Sequence, residues 1–387
     1  MLDASILPLT LRRPLASTVG ARIDVIDLTA HAPGHDRWQA MPDGDPTAFF
    51  QTARWAGIAA GYERSHGRRV VLLEIRDGGR SFVLPLALGR ESGAMVARIV
   101  GEVMSEFSTG VGEGPSATAL AAGLARLQAD CRVDAVELRR VPQGSALHGA
   151  MLELGAQVLE EHQSCAVLLD RDGARPRSDG RLPTGIRDAR RMRRKLAQRG
   201  YTFEVVEPGP RAAAIMRQAI AWKFEWVRQR GLVSRIGTDP HLTDAFADLF
   251  ADPRAGALAG AVSIDGELAA VEGVFAAGDT CYATIGGRRP DLEALKVGKV
   301  VMVETVEWAA ARGFRSYDLG PPAIPYKLDW CTEVHSVSDL VLPLSARGAL
   351  HVFAAGSLKP LARRAFGALP PAARNWILGF TRYSTKR

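Results

Sequence analysis

A carboxylate inside an apolar run is the first residue of this chain that suggests chemistry. Glu272 lies within "AAVEGVF", where an unpaired charge is expensive to bury, so it is either partnered or has a raised pKa suited to a general base. Further along, Tyr326 and Lys327 follow Pro321, Pro322 and Pro325, a rigid segment that fixes where side chains point. A lysine so held either stabilises an oxyanion, binds an anionic acceptor or snorkels from a strand edge. Asp318 is a rival base, with holding the following Gly-Pro turn as its plainer role. Between these residues runs "RRPDLEALKVGK", a basic, glycine-bearing loop ahead of an amphipathic helix. There Gly298 is either the position where a pyrophosphate approaches unpaired backbone amides or simply a helix-start residue. Lys296 and Lys299 are phosphate partners on the first view and a solvated loop on the second.

The elements that must hold these groups are legible nearby. Asp265-Gly266 between "LAGAVSI" and "LAAVEGVFAAG" predicts a hairpin. A third strand, "TCYATIGG", leads into the loop, and Val300, Val303, Val306 and Ala310 recur at helical spacing up to Gly313 before a fourth strand, "SYDLG". Upstream, "VVLLEIRDGGRSFVLPLAL" repeats the strand, Asp-Gly turn and strand, which suggests a duplicated mixed α/β fold. A helix is expected over 47–64, and Glu106 and Phe107 fall in a glycine-rich loop placed to reach a cleft between the halves. The segment "RDGARPRSDGRLP" has linker composition, which puts a boundary near 170–182. After it, "GIRDARRMRRKLAQRG" predicts an arginine-rich helix whose outer face either is merely solvated or binds an anionic partner. On the next helix Trp222 and Trp226 stand four apart with Lys223 beside them. They form either a core face or a wall on which a sugar stacks.

Bulk properties narrow the function classes. At 387 residues two domains are expected. Cys131, Cys165, Cys281 and Cys331 are scattered, and neither they nor the histidines have metal-ligand spacing, so no metal site and no disulfide framework is expected. A reducing cytoplasm fits best, since the N-terminus lacks a signal-peptide core and no run approaches the roughly 20 apolar residues of a membrane span. The net charge of +7 is concentrated at the end, because no acidic residue follows Asp339 while eight basic ones do. That tail, residues 346–387, is either a solvated terminal piece or a contact with an anionic membrane surface, on the inner face of the membrane. No nucleophile elbow surrounds any Ser or Cys, so covalent catalysis is disfavoured.

Taken together, "LAQRG", "AIAWKFEWVRQRG", "SIDGELAAVEGVF", "CYATIGG", Gly298, "YDLG" and "YKLDW" resemble GNAT-type acyltransferases of the CelD/BcsL group, associated with cellulose and exopolysaccharide biosynthesis and related to FemAB peptidyltransferases. The resemblance covers about residues 48–345. It implies two tandem GNAT-like domains, each a mixed, mostly antiparallel sheet flanked by helices, over 47–175 and 183–345, preceded by an extension over 1–46. It further implies acetyl-CoA or another acyl-CoA as co-substrate, a small-molecule or glycan acceptor, and pantetheine pairing with the backbone of Thr284, Ile285 and Gly286. Tyr326-Lys327 is similar to a pair in the FemAB-like group. "LKVGKV" departs from the GNAT phosphate loop, with Leu295 at its first and Val300 at its last position. Either Lys296 and Lys299 compensate, or a different carrier such as an aminoacyl-tRNA is used. A non-catalytic subunit of a polysaccharide synthesis complex is the remaining alternative.

Overall fold

The computed structural model describes residues 21–28, 38–39, 46–230 and 239–358, and within them the chain runs twice through one succession of elements. The first pass comprises β1 (Arg22–Asp27), α1 (Ala53–Ser65), β2 (Arg69–Asp77), β3 (Arg80–Glu91), β4 (Ala94–Ile99), β5 (Val111–Gly112), α2 (Ala117–Cys131), β6 (Ala135–Pro142), α3 (Ala146–Glu153), β7 (Gln157–Asp170) and β8 (Gly173–Ala174). The second comprises α4 (Thr184–Ala197), β9 (Tyr201–Val206), α5 (Pro210–Gln229), α6 (Pro240–Ala251), β10 (Ala257–Ile264), β11 (Glu267–Ala277), β12 (Thr280–Arg288), α7 (Val297–Ala311), β13 (Ser316–Asp318), α8 (Pro325–Leu328), β14 (Glu333–Pro343) and α9 (Ala346–Phe353). Both Asp-Gly turns close hairpins. Asp265 and Gly266 take positive φ of 53° and 77°, the mirror-image turn whose twist matches its flanking strands.

The strands form one mixed sheet in the order β1-β2-β3-β4-β6-β14-β7-β13-β12-β11-β10-β9. Its centre is an exchange between the halves: β14 lies between β6 and β7 of the first pass, while β7 pairs with β13 and β14 of the second. The strand around "SCAVLLD" therefore belongs to both halves, and the sheet runs unbroken past the linker-like segment at 170–182, part of which is β8. Residues 22–27, within the stretch expected as an extension, pair antiparallel with β2 as an edge strand. The expected helix over 47–64 is a 3-10 turn at Pro46–Gln51 followed by α1. Of the basic tail, only residues to 358 are described.

Each half contains a fork where two parallel strands pair briefly and then diverge. In the first half β4 and β6 pair only through Val96–Ala97 and Ala135–Val136; in the second β12 and β13 pair only over Thr280–Tyr282 and Ser316–Asp318. The largest apolar core lies between the halves and joins Phe49, Phe50 and Trp55 to Phe250, Phe275 and Tyr282. Among the described residues no helix is long and apolar enough to cross a membrane.

Candidate functional site

The two forks have opposite fates. In the first half Arg98 and Glu137, one residue beyond the last strand pair, bridge the gap at 2.6 Å, and Arg98 also pairs with Glu91. Burial pushes Glu137 up, but Arg98 and Arg139 outweigh it and hold the carboxyl at about 2. The helix that follows, α2, is capped by Ser116, whose hydroxyl accepts from the Ala119 amide. That fork is closed and its helix amides are partly occupied. In the second half the strands open into a cleft of about 660 Å³. The helix that follows, α7, starts at Lys296, which takes φ 55° and gives no side-chain cap. Its first turn begins with Lys299 N–H donating to the Lys296 carbonyl, leaving the start of the helix dipole turned to the cleft, where Gly298, Lys296 and Lys299 line the wall. A Cβ at Gly298 would meet only the Arg288 Cδ, at 3.3 Å.

The opposite end of the cleft holds acids. Glu272, on β11, pairs with Gly286 of β12, and its carboxylate occupies the space a side chain at Gly286 would need. Its Oε1 accepts from the Tyr317 hydroxyl at 3.5 Å. Burial raises the Glu272 pKa to about 7, against the pull of Lys223, Tyr317 and Lys327. Glu106 crosses from the first half to lie over Gly320, where φ is 68° and a Cβ would overlap its carboxylate. Burial likewise raises Glu106 to about 7, Arg140 and Lys327 opposing. Lys327 donates through Nζ to the Gly320 carbonyl at 2.7 Å, and burial lowers its pKa below the ordinary lysine value. Tyr326 is half-exposed, and burial of its hydroxyl, reinforced by Glu272 and Glu106, raises it to about 12. Asp318 is occupied elsewhere: its Oδ1 accepts from the Gly320 amide at 2.7 Å and the Ser164 hydroxyl at 3.1 Å, the turn-holding role.

Of the residues singled out in the sequence, twelve thus line one cleft: Glu106, Lys223, Trp226, Glu272, Thr284, Ile285, Gly286, Lys296, Gly298, Lys299, Tyr326 and Lys327. Besides Asp318, two do not. Phe107 is 2% exposed, with its ring against Tyr282, because Gln51 Nε2 donates to its carbonyl and fixes the loop inward. Trp222 packs against the core between the halves. Trp226 is no open stacking wall either, since Lys223, Arg230 and Arg288 approach its ring at 5.1, 4.3 and 5.8 Å. Beyond Tyr282, β12 has no strand partner on its β13 side, so the edge at Thr284 to Gly286 borders the cleft. Arg288 and Glu293 also line this end, paired with each other at 3.0 Å, and lie in the loop already singled out. Arg140 and Asp329 also line the cleft; no local sequence signal marks Arg140, which reaches the site only because β6 abuts the exchanged strand β14. The four cysteines are buried thiols, and burial beside Cys331 raises Cys165 to about 12, which makes it a poor nucleophile.

A splayed parallel pair, a helix start aimed into the splay and a recessed carboxylate opposite define an acyltransferase-like fold of the GNAT type, present here as two units sharing one sheet. Residues 185–328 match the family model described as acetyltransferase (GNAT) domain. Among solved structures the chain is similar to FemX, at 12% identity and a TM-score of 0.55 over 82% of this chain and 96% of that one. It is also similar to a domain named as the C-terminal part of a lysylphosphatidylglycerol synthetase from Agrobacterium fabrum, at 12% identity and a TM-score of 0.51 over 81% and 96%. These likenesses establish the fold. No curated protein matches in sequence.

Proposed function

We propose that this chain moves an acyl group, acetyl in the simplest case, from a coenzyme A thioester to an amine or hydroxyl of an acceptor held between the two halves. The observation that carries this reading is the uncapped start of α7, opening with Lys296 and Lys299 onto a cleft whose far end holds Glu272. The residues fit such a donor: free helix-start amides and two lysines suit a diphosphate, and the unpaired edge of β12 suits an amide-bearing arm. In this reading the acceptor nitrogen or oxygen bonds to the carbonyl carbon as the carbon–sulfur bond breaks. Glu272 takes the acceptor's proton, Lys327 stabilises the developing oxyanion, and the Tyr326 hydroxyl supplies a proton to the departing sulfur. The sequence resemblance to the CelD/BcsL group supports an acceptor of envelope or exopolysaccharide metabolism.

Calorimetric titration with acetyl-CoA and CoA tests the donor. Gly298→Val, whose Cβ meets only the flexible Arg288 side chain, is expected to weaken acetyl-CoA binding at least about tenfold by covering the helix-start amides, with an unchanged melting temperature. Equal affinity would remove the assigned loop. Lys327→Met is expected to lower kcat about 10²-fold with little effect on donor affinity, read from the rate of thiol release.

A second reading keeps the fold and changes the donor to an aminoacyl-tRNA, and one observation favours it. Helix α4 packs against α7, held by Asp188 with Lys299 at 4.0 Å, Arg193 with Glu304 at 3.5 Å and Arg190 with Glu307 at 2.7 Å. Its outer face exposes Arg187, Arg191, Arg194 and Lys195, a cationic strip leading from the donor end. Salt-sensitive retention of tRNA without binding of CoA would decide for it.

A further inference from the structure

The cleft is bipolar. Lys296, Lys299 and Arg288, the last paired with Glu293 at 3.0 Å, lie toward α7, Lys223 lies within reach of both Arg288 and Glu272, and Glu106, Glu272 and Asp329 line the wall toward Tyr326 and Lys327. Among the described residues no hydrogen-bond donor and no cation within ion-pairing distance is assigned to Glu106. The nearby cations act on it only through space, each with a donor spent on a carbonyl: Lys327 on that of Gly320 and Arg140 on that of Glu102. Glu106 is nonetheless held in place. Its neighbours are tied down by Ser105 N–H donating to the Gly101 carbonyl, Ser108 N–H to the Arg140 carbonyl and Gln51 to the Phe107 carbonyl, and the absence of a side chain at Gly320 gives the carboxylate its place. A rigidly mounted carboxylate with unclaimed acceptor capacity, facing a cavity, is set to receive a charged donor from a ligand, because leaving it unpaired there is costly. Glu272 is the second such group, with one long hydrogen bond from Tyr317.

We propose that the acceptor is a diamino compound: one amino group is the nucleophile whose proton passes to Glu272, and a second, as an ammonium, is anchored by Glu106 from the other half. This rests on the acyltransferase reading and names its acceptor class. A hydroxyl in the second position would hydrogen-bond to Glu106 but bring no opposite charge into contact with it. An ammonium supplies both, and a charge-assisted bond of this kind is the stronger one. Glu106 is then a specificity residue of the first half acting on chemistry carried by the second, which explains why the fold keeps a closed first fork yet lends this one loop to the cleft.

The test is calorimetric binding of α,ω-diamines of three to six carbons, against butylamine and 4-amino-1-butanol, to the full chain without donor. At least one diamine is expected to bind about 10- to 100-fold tighter than both controls. Glu106→Gln is expected to collapse that preference to within about twofold, and Glu106→Asp, which keeps the charge, to retain part of it. Equal binding of diamines and controls by the wild-type chain, or a preference that survives Glu106→Gln in a variant with native circular dichroism, overturns the proposal. Acetyl-CoA titrations on the same samples report on the donor separately, so a failed donor reading and a failed acceptor assignment give different results.

Discussion

Replacing Glu272 with glutamine is expected to lower kcat on the order of 10²- to 10⁴-fold, the usual contribution of a positioned proton acceptor, while leaving donor affinity unchanged. The pH dependence carries more information than the size of the loss. Burial raises this carboxyl from 4.5 to about 7, so the wild-type kcat/KM is expected to climb as pH passes through about 7 and the carboxylate becomes able to accept a proton. The variant should lose that limb, and any residual dependence in the same window would belong to Glu106, raised to about 7 as well. Stability should respond in the opposite sense. With a native pKa above the unfolded one, the folded chain binds more protons between pH 4.5 and about 7, so the favourable contribution of the protonated form is complete below 4.5 and is lost as pH rises through 7. Glu272→Gln should therefore melt higher than wild type at pH 8 and show less advantage at pH 4.5. A variant that loses activity without gaining alkaline stability would show that the carboxylate is compensated in the folded state, which is not the environment of a poised base.

Much of this site could be read from the sequence because its parts are local. The Gly278-Asp279 turn between β11 and β12 brings Glu272 opposite Gly286. The run from Gly286 to Lys299 is one uninterrupted strand, loop and helix start, and Tyr326-Lys327 is held by the short helix α8 just after the end of β13. What the sequence did not disclose is non-local. Local sequence carries nothing about which neighbours β7 and β14 choose, so the exchange that merges the halves has no signature in either segment. The aromatic face at Trp222 and Trp226 looked like one surface because the residues are four apart. The helix instead turns Trp222 to the core and presents Trp226 to three cations supplied by α5, the residue following it and the end of β12. Phe107 and Glu106 are adjacent in sequence, yet the loop sends the two side chains to opposite sides.

The strand exchange makes the seam between the halves a structural support of the site, and Phe275→Ala is expected to expose this with a loss of about 3–5 kcal/mol in equilibrium urea denaturation. Phe275 is fully buried, and its ring meets Phe49, Phe50 and Trp55 of the first half and Phe250 of the second at 5.7 to 6.1 Å, so deletion removes contacts on both sides of the seam. It also lies on β11 three residues beyond Glu272, opposite Tyr282, the last residue of β12 to pair with β13 before the fork opens. A cavity there loosens the strand that aims the carboxylate and the point from which the cleft diverges. Because β7 and β14 pair across both halves, neither half can unfold without stripping strands from the other. The variant should accordingly melt in a single transition shifted to lower denaturant with an unchanged slope. Two separated transitions would mean that the exchanged strands do not couple the halves, and a loss below about 1 kcal/mol would mean that the aromatic seam collapses around the gap. In the single-transition case Phe275→Leu, which refills most of the volume, should recover most of the stability, and the recovery of kcat alongside it would tie the orientation of Glu272 to the packing beneath it.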